Sequence, residues 1–241
     1  MIELQKLGFS YPDAVGFTDV DLRVETGQAW ALIGPNGSGK SSLLKALNGL
    51  CRPNAGNYRL DGELVDEAFL KNEAKLKALH KKIGYLFQNS EAQLFCPSVL
   101  EEVSFGPRQM GMAEAEADAR ARDCLKLLGI EPLAERVPYH LSGGEKRKVA
   151  LAAVLSLNPA ILTLDEPMNG IDPRSKRELR ELLSTLNAAG KTIICATHDF
   201  EYVEGLFSHA AVFSAEHRLT RVGPYAEILA DRDFLRANNI V

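Results

Sequence analysis

The chain has 241 residues, 28 of them lysine or arginine and 32 aspartate or glutamate, and 46% of it is hydrophobic. At about 150 residues per domain, that length predicts one compact domain with room for a subdomain, and the apolar content excludes a disordered or fibrous chain. A net charge of −4 spread over both signs, with no basic block, argues against nucleic acid as a partner.

Taken in chain order, Ile2, Leu4 and Phe9 alternate with polar neighbours, and Val20, Leu22 and Val24 repeat the two-residue period of half-buried antiparallel strands. Trp30-Ala31-Leu32-Ile33 is an apolar strand that runs into a glycine-rich loop, and Ser42-Leu43-Leu44-Lys45-Ala46-Leu47 follows with helical periodicity. Residues 63–82, rich in Lys, Glu, Ala and Leu, read as one solvated helix. Residues 99–128 favour helix and predict a helical insertion. A further apolar helix over 149–157 stops at Asn158-Pro159, because proline disfavours helix in the residue before it. That stretch is the longest apolar one and reaches about half of a bilayer span, and the N-terminus carries no export signal, so a cytosolic protein is expected. Ile161-Leu162-Thr163-Leu164 and Thr192-Ile193-Ile194-Cys195-Ala196 are buried strands flanking a helix over 174–189, the alternation of a parallel α/β sheet. Residues 210–213 and 219–222 predict a closing pair of strands, and 225–238 a terminal helix. Cys51, Cys96, Cys124 and Cys195 lack metal or redox spacing and are expected to be reduced, buried thiols.

Gly34-Pro35-Asn36-Gly37-Ser38-Gly39-Lys40-Ser41 fits the phosphate-loop pattern G-x-x-x-x-G-K-[ST] and stands between a strand and a helix, as that pattern requires. Its backbone N–H groups would face phosphates, with Lys40 on the β- and γ-phosphates and Ser41 on Mg²⁺. Such loops serve kinases, GTPases and ATPases alike. A guanine-reading Asn-Lys-x-Asp is absent, which argues against a GTPase. Ile161-Leu162-Thr163-Leu164-Asp165-Glu166 delivers Asp165 to a strand end, where it can hold Mg²⁺ through water, and Glu166 can orient and deprotonate an attacking water. Alone, an acidic pair there serves equally as a helix cap. Leu141-Ser142-Gly143-Gly144-Glu145 precedes a helix and exposes N–H groups and a hydroxyl, a second anion site or an ordinary serine cap.

Together these segments resemble the ATP-binding cassette (ABC) transporter ATPases over nearly the whole chain. Residues 34–41 stand as Walker A, 161–166 as Walker B and 141–145 as the signature. The resemblance implies a P-loop α/β fold with a mixed central sheet, an antiparallel β subdomain and an inserted helical subdomain. A single domain over 1–241 would divide into a nucleotide-binding core at 1–84 and 158–241, with the Q-loop and helical subdomain at 85–157. It further implies ATP and Mg²⁺ as ligands, bound by Asn36, Gly37, Ser38, Gly39, Lys40, Ser41 and Ser42, with Ser142, Gly143 and Gly144 serving the nucleotide of a second copy. Gln88 matches the Q-loop glutamine at Mg²⁺ or the water, His198 the switch histidine, Tyr11 the aromatic that stacks on adenine, and Gly170-Ile171-Asp172 the D-loop. Met168-Asn169 and Ser208-His209 depart from the family's usual residues.

The runs Phe87-Gln88-Asn89-Ser90-Glu91-Ala92-Gln93-Leu94-Phe95 and residues 99–107 resemble ATPases of energy-coupling factor importers, and residues 223–241 look most like the cobalt and nickel importers. That branch implies a peripheral subunit at the cytoplasmic face of the membrane. A second ATPase subunit, identical or paralogous, would work with an integral membrane scaffold and a substrate-binding membrane subunit, with a vitamin such as biotin as the alternative cargo. Glu101 and Glu102 would either meet basic residues of the scaffold's coupling helices or form a solvated helix start.

Overall fold

The computed structural model describes residues 1–240 apart from 201, 202 and 204, and the backbone alone at 91 and 92. Val241, the last residue of the closing segment, lies outside the described residues. Strands β1 (Ile2–Ser10) and β2 (Val15–Val24) pair antiparallel with Leu4 opposite Leu22. Strand β3 (Ala29–Ile33) leads through the glycine loop into helix α1 (Lys40–Leu47). Strands β4 (Ala55–Leu60) and β5 (Glu63–Leu64), neither predicted from pattern, complete an antiparallel sheet in the order β2-β1-β4-β5.

The expected helix over 63–82 is instead a strand followed by two helices, α2 (Glu67–Lys71) and α3 (Glu73–Lys82). The reason is local: Asp66 accepts from the Phe69 N–H and Asn72 from the Lys75 N–H, so each opens a new helix with its own cap. Nor is it wholly solvated, since Phe69 and Leu79 are buried. After β6 (Ile83–Leu86), the helical region breaks into α4 (Val99–Gln109) and α5 (Glu114–Leu127) at Gly111, whose φ is 87°. Helix α6 (Gly143–Ser156) begins earlier than its apolar run, at the signature itself.

Strand β7 (Ile161–Asp165), helix α7 (Pro173–Ala188), strand β8 (Thr192–Ala196) and the antiparallel pair β9 (His209–Phe213) and β10 (Leu219–Pro224) follow as the pattern predicts. The single terminal helix divides into α8 (Tyr225–Ala230) and α9 (Arg232–Ala237), because Asp231 caps the Phe234 N–H and restarts it. The second sheet runs β10-β9-β3-β8-β7-β6, parallel except at β10, so the expected mixed sheet is present.

Alternation along β3 separates two cores. Trp30 and Leu32 face Leu43, Leu44 and Leu47 of α1 and the antiparallel sheet, while Ala29, Ala31 and Ile33 face α6, α7 and α8. A third cluster unites Val99, Val103, Ala121, Leu125 and Leu141 with Val149 and Ala152 of α6. Ala150, Leu151 and Val154 of the same helix belong to the sheet's core, so α6 is a strut shared by the helical region and the sheet. Of the cysteines, Cys195 is buried and the other three are half-buried free thiols.

Candidate active site

Parallel strands end on one edge of the sheet, and there β3, β6, β7 and β8 deliver the glycine loop, Gln88, Asp165-Glu166 and His198. A cleft of about 290 Å³ is lined by residues 36–42, Gln88, Glu166, Asn169 and His198. Gly39 caps α1 at φ 107°, and a Cβ there would stand 2.2 Å from the Gly16 carbonyl oxygen, so no side chain fits. A Cβ on Gly34, at φ 149°, would stand 2.6 Å from the Phe213 oxygen. Lys40 Nζ donates to the Gly34 and Pro35 carbonyls at 2.8 and 2.9 Å and so lies along the loop it follows. Burial lowers its pKa from the ordinary value, and Glu166 and Asp165 oppose that shift.

Ser41 Oγ donates to Asp165 Oδ1 at 2.9 Å, joining the two motifs across 124 positions of sequence. Tyr85 donates to the other carboxylate oxygen at 3.2 Å, and its own pKa is raised by burial first and by Asp165 second. Glu166 is only 7% exposed and carries φ 49°, a left-handed conformation uncommon for a residue with a side chain. Its N–H donates to Ala196 at 2.9 Å, and its Oε2 lies 2.8 Å from His198 Nδ1.

Two groups of predicted residues stand apart from this cleft. Tyr11, 40% exposed, packs edge-on against Phe9 and reaches Ser42 Oγ at 3.3 Å, at the rim of the loop helix. Ser142, Gly143 and Gly144 are absent from the lining. They open α6, where Ser142 and Glu145 form a reciprocal capping box, the Ser142 N–H donating to Glu145 Oε2 at 2.8 Å. The Glu145 carboxyl is held below its ordinary range by the Ser142 hydroxyl and N–H. A Cβ on Gly143 or Gly144 would meet nothing within 4 Å. Asp172 caps α7, accepting from the Arg174 and Ser175 N–H groups. Met168, one of the departures, is buried in the core behind the site. Of the other, His209 stacks on Trp30 at 4.8 Å.

Arg147 is the residue that sequence reasoning missed. It stands in α6, is 9% exposed, and donates to the main-chain oxygens of Gln88, Glu166 and Asn169. Burial lowers its pKa from the ordinary value, against the pull of Asp165. A lone arginine between two lysines carries no signal in sequence, because its acceptors are backbone groups. Glu102 is a correction: it is neither solvated nor free for a partner, since it is buried and accepts the N–H groups of Phe95 and Cys96 at 2.8 and 2.7 Å. Glu101 stays exposed on the same helix.

Residues 17–169 match the ABC transporter family. An ABC transporter ATP-binding protein of Clostridium acetobutylicum is 55% identical over the full length of both chains. The nickel import ATP-binding protein LarO of Lactiplantibacillus plantarum is 46% identical over 91% of each chain. An energy-coupling factor transporter ATP-binding protein of Methanosphaera stadtmanae is 39% identical over 98% of this chain and 83% of its own. Among solved structures, CbiO1 of Clostridium perfringens, part of the ABC transporter complex CbiONQ, superposes with a TM-score of 0.83 at 33% identity, covering 99% of this chain and 94% of the other. A dimeric ATP-binding cassette in a post-hydrolysis state with ADP and phosphate superposes with a TM-score of 0.84 at 27% identity, over 93% and 98%.

Proposed function

The chain belongs to the ABC transporter family as an ATP-binding, ATP-hydrolysing subunit, and from that premise we propose that it powers uptake of nickel or cobalt ions as one of a pair of peripheral ATPases. The observation that carries the mechanism is that the cleft at Lys40, Glu166 and His198 is not lined by the open start of α6 at Ser142-Gly143-Gly144, which we read as a second anion site on the same chain. Two copies arranged head to tail satisfy both. Each ATP then lies between the glycine loop of one chain and the signature of its partner.

Within a cleft, the backbone N–H groups of residues 36–42 cradle the phosphates and Lys40 exchanges its carbonyl partners for β- and γ-phosphate oxygens, while Tyr11, at the rim beside Ser42, stacks on the base. The Ser41 hydroxyl, the Asp165 carboxylate and the Gln88 amide are hard oxygen donors that fit Mg²⁺ and would hold it, Asp165 through water, and the ion would neutralise charge on the phosphates. Glu166 orients the attacking water and takes its proton, and His198, whose Nδ1 lies 2.8 Å from that carboxylate, contacts the γ-phosphate in this reading. ATP favours the closed pair because its γ-phosphate touches both chains, and cleavage removes that bridge.

Nickel as cargo is supported by LarO, a nickel import ATP-binding protein, cobalt by the resemblance of residues 223–241, and assembly with a membrane scaffold by the ABC transporter complex of which CbiO1 is part. A second cleft, about 270 Å³ and lined by Leu50, Tyr85, Phe87, Phe95 and Phe105, offers an apolar seat for a helix of that scaffold. Glu166→Gln tests the mechanism. Turnover is expected to fall about 10²–10⁴-fold, the usual worth of a general base, while ATP-driven dimers persist in size-exclusion chromatography; near-normal hydrolysis would reject Glu166 as the base. Nickel and cobalt uptake by cells carrying the chain with its membrane partners, lost in the same variant, tests the cargo.

A further inference from the structure

Arg147 lies two residues beyond the signature and reaches three carbonyls in two loops at once. Its Nη1 donates to the Glu166 carbonyl at 3.1 Å, and its Nη2 to the Gln88 and Asn169 carbonyls at 3.0 and 3.4 Å. These loops follow β6 and β7 and line the cleft, yet Arg147 itself does not. Every acceptor is main chain, so the guanidinium acts on where the backbone runs and not on which side chains it bears. Glu166 has most need of such a hold. Its φ of 49° is disfavoured and persists only where the surroundings over-determine it, here through Arg147, the Asn169 N–H on the same carbonyl and the Ala196 oxygen on its own N–H. A planar fork with several donors can span three carbonyls, and a lysine ammonium, a point charge on a flexible stem, cannot hold the same geometry.

The helix that carries Arg147 is a strut packed on both the helical region and the sheet, and its N-terminus is the signature. We propose that Arg147 is a positioning residue that transmits occupancy of the signature by the partner's nucleotide to the backbone of Gln88 and Glu166 in its own cleft. The proposal rests on the shared-site reading above. A shift of α6 toward the partner's γ-phosphate moves the guanidinium with it, and the catalytic carboxylate follows through its carbonyl. The two ATP sites of a pair are thereby coupled through a residue that touches neither nucleotide.

The test uses Arg147→Met and Arg147→Lys in the full-length chain, with ATPase rate against MgATP concentration, nucleotide affinity of each variant and thermal melting. Expected are a KM within about twofold of wild type, a kcat lower by roughly tenfold to a hundredfold, as displacement of a catalytic group by about 1 Å produces, and a Hill coefficient falling from above one to one. Arg147→Lys is expected to fold and to show the same loss of cooperativity, which keeps the test decisive if Arg147→Met does not fold. A cooperative wild type whose Arg147→Lys variant keeps both kcat and Hill coefficient would overturn the proposal alone. A wild type that hydrolyses without cooperativity would overturn the shared-site reading and this proposal with it.

Discussion

Gly143 and Gly144 sit in the first turn of α6, outside the left-handed region, with open space where a side chain would stand. Nothing inside the chain requires glycine at either position, and glycine costs a helix about 1 kcal/mol relative to alanine. On the proposed shared-site reading the requirement comes from outside, from a phosphate group that must approach the N–H groups closely. Gly143→Ala and Gly144→Ala are each expected to stabilise the isolated chain by roughly 0.5–1 kcal/mol, read by urea unfolding, while ATP-driven dimerisation weakens. A variant that dimerises as wild type does would remove the reason offered for these glycines. Arg147 shows the converse logic: a residue demanded by the interior of the fold, with no sequence neighbour to announce it.

At the scale of the element, α6 begins where its capping box forms, and that box titrates. Glu145 is depressed by its bonds to Ser142 in the folded chain, so in the unfolded chain it binds its proton more readily. Its contribution is thus fully present above the unfolded pKa of about 4.3 and is lost as pH falls through the lower folded value. Thermal melts of wild type and Glu145→Gln are expected to differ at neutral pH and to converge below pH ~4; a gap that stays constant with pH would exclude the ionised cap. Caps also account for the two misread helices. In 67–82 and 225–238 the composition favours helix, but Asn72 and Asp231 each stop one helix and start the next. Composition averages over such a residue, whereas a cap acts at a single N–H.

For the whole molecule, the proposed docking surface for a membrane subunit contains Phe95, 68% exposed, and Phe105, 40% exposed, whose rings lie 5.0 Å apart edge to face. Two large rings held together in water are costly to expose, and Glu102 beneath them fixes the Phe95 backbone. Phe95→Glu with Phe105→Glu is expected to leave ATP affinity unchanged and to move the chain from the membrane pellet to the soluble fraction of cells that carry its membrane partners. Retention in the pellet would place the docking surface elsewhere.

Whatever depends on contiguous residues was legible in the sequence: the glycine loop, the strand ending in Asp165-Glu166, the signature and the alternation of buried strands with helices. Such motifs encode backbone conformation and local periodicity, which neighbours in the chain settle between them. Gln88, His198 and Tyr11 could be read only through the family resemblance, since one glutamine, histidine or tyrosine carries no pattern of its own. Contacts made by distant segments were decided by the fold alone. Parallel pairing of β3, β8, β7 and β6 brings Ser41 to Asp165 and Glu166 to His198 and assembles three loop carbonyls around Arg147. The physical reason is that a backbone carbonyl is the same group at every residue, so a side chain that recognises carbonyls leaves no trace in sequence until the chain has folded around it.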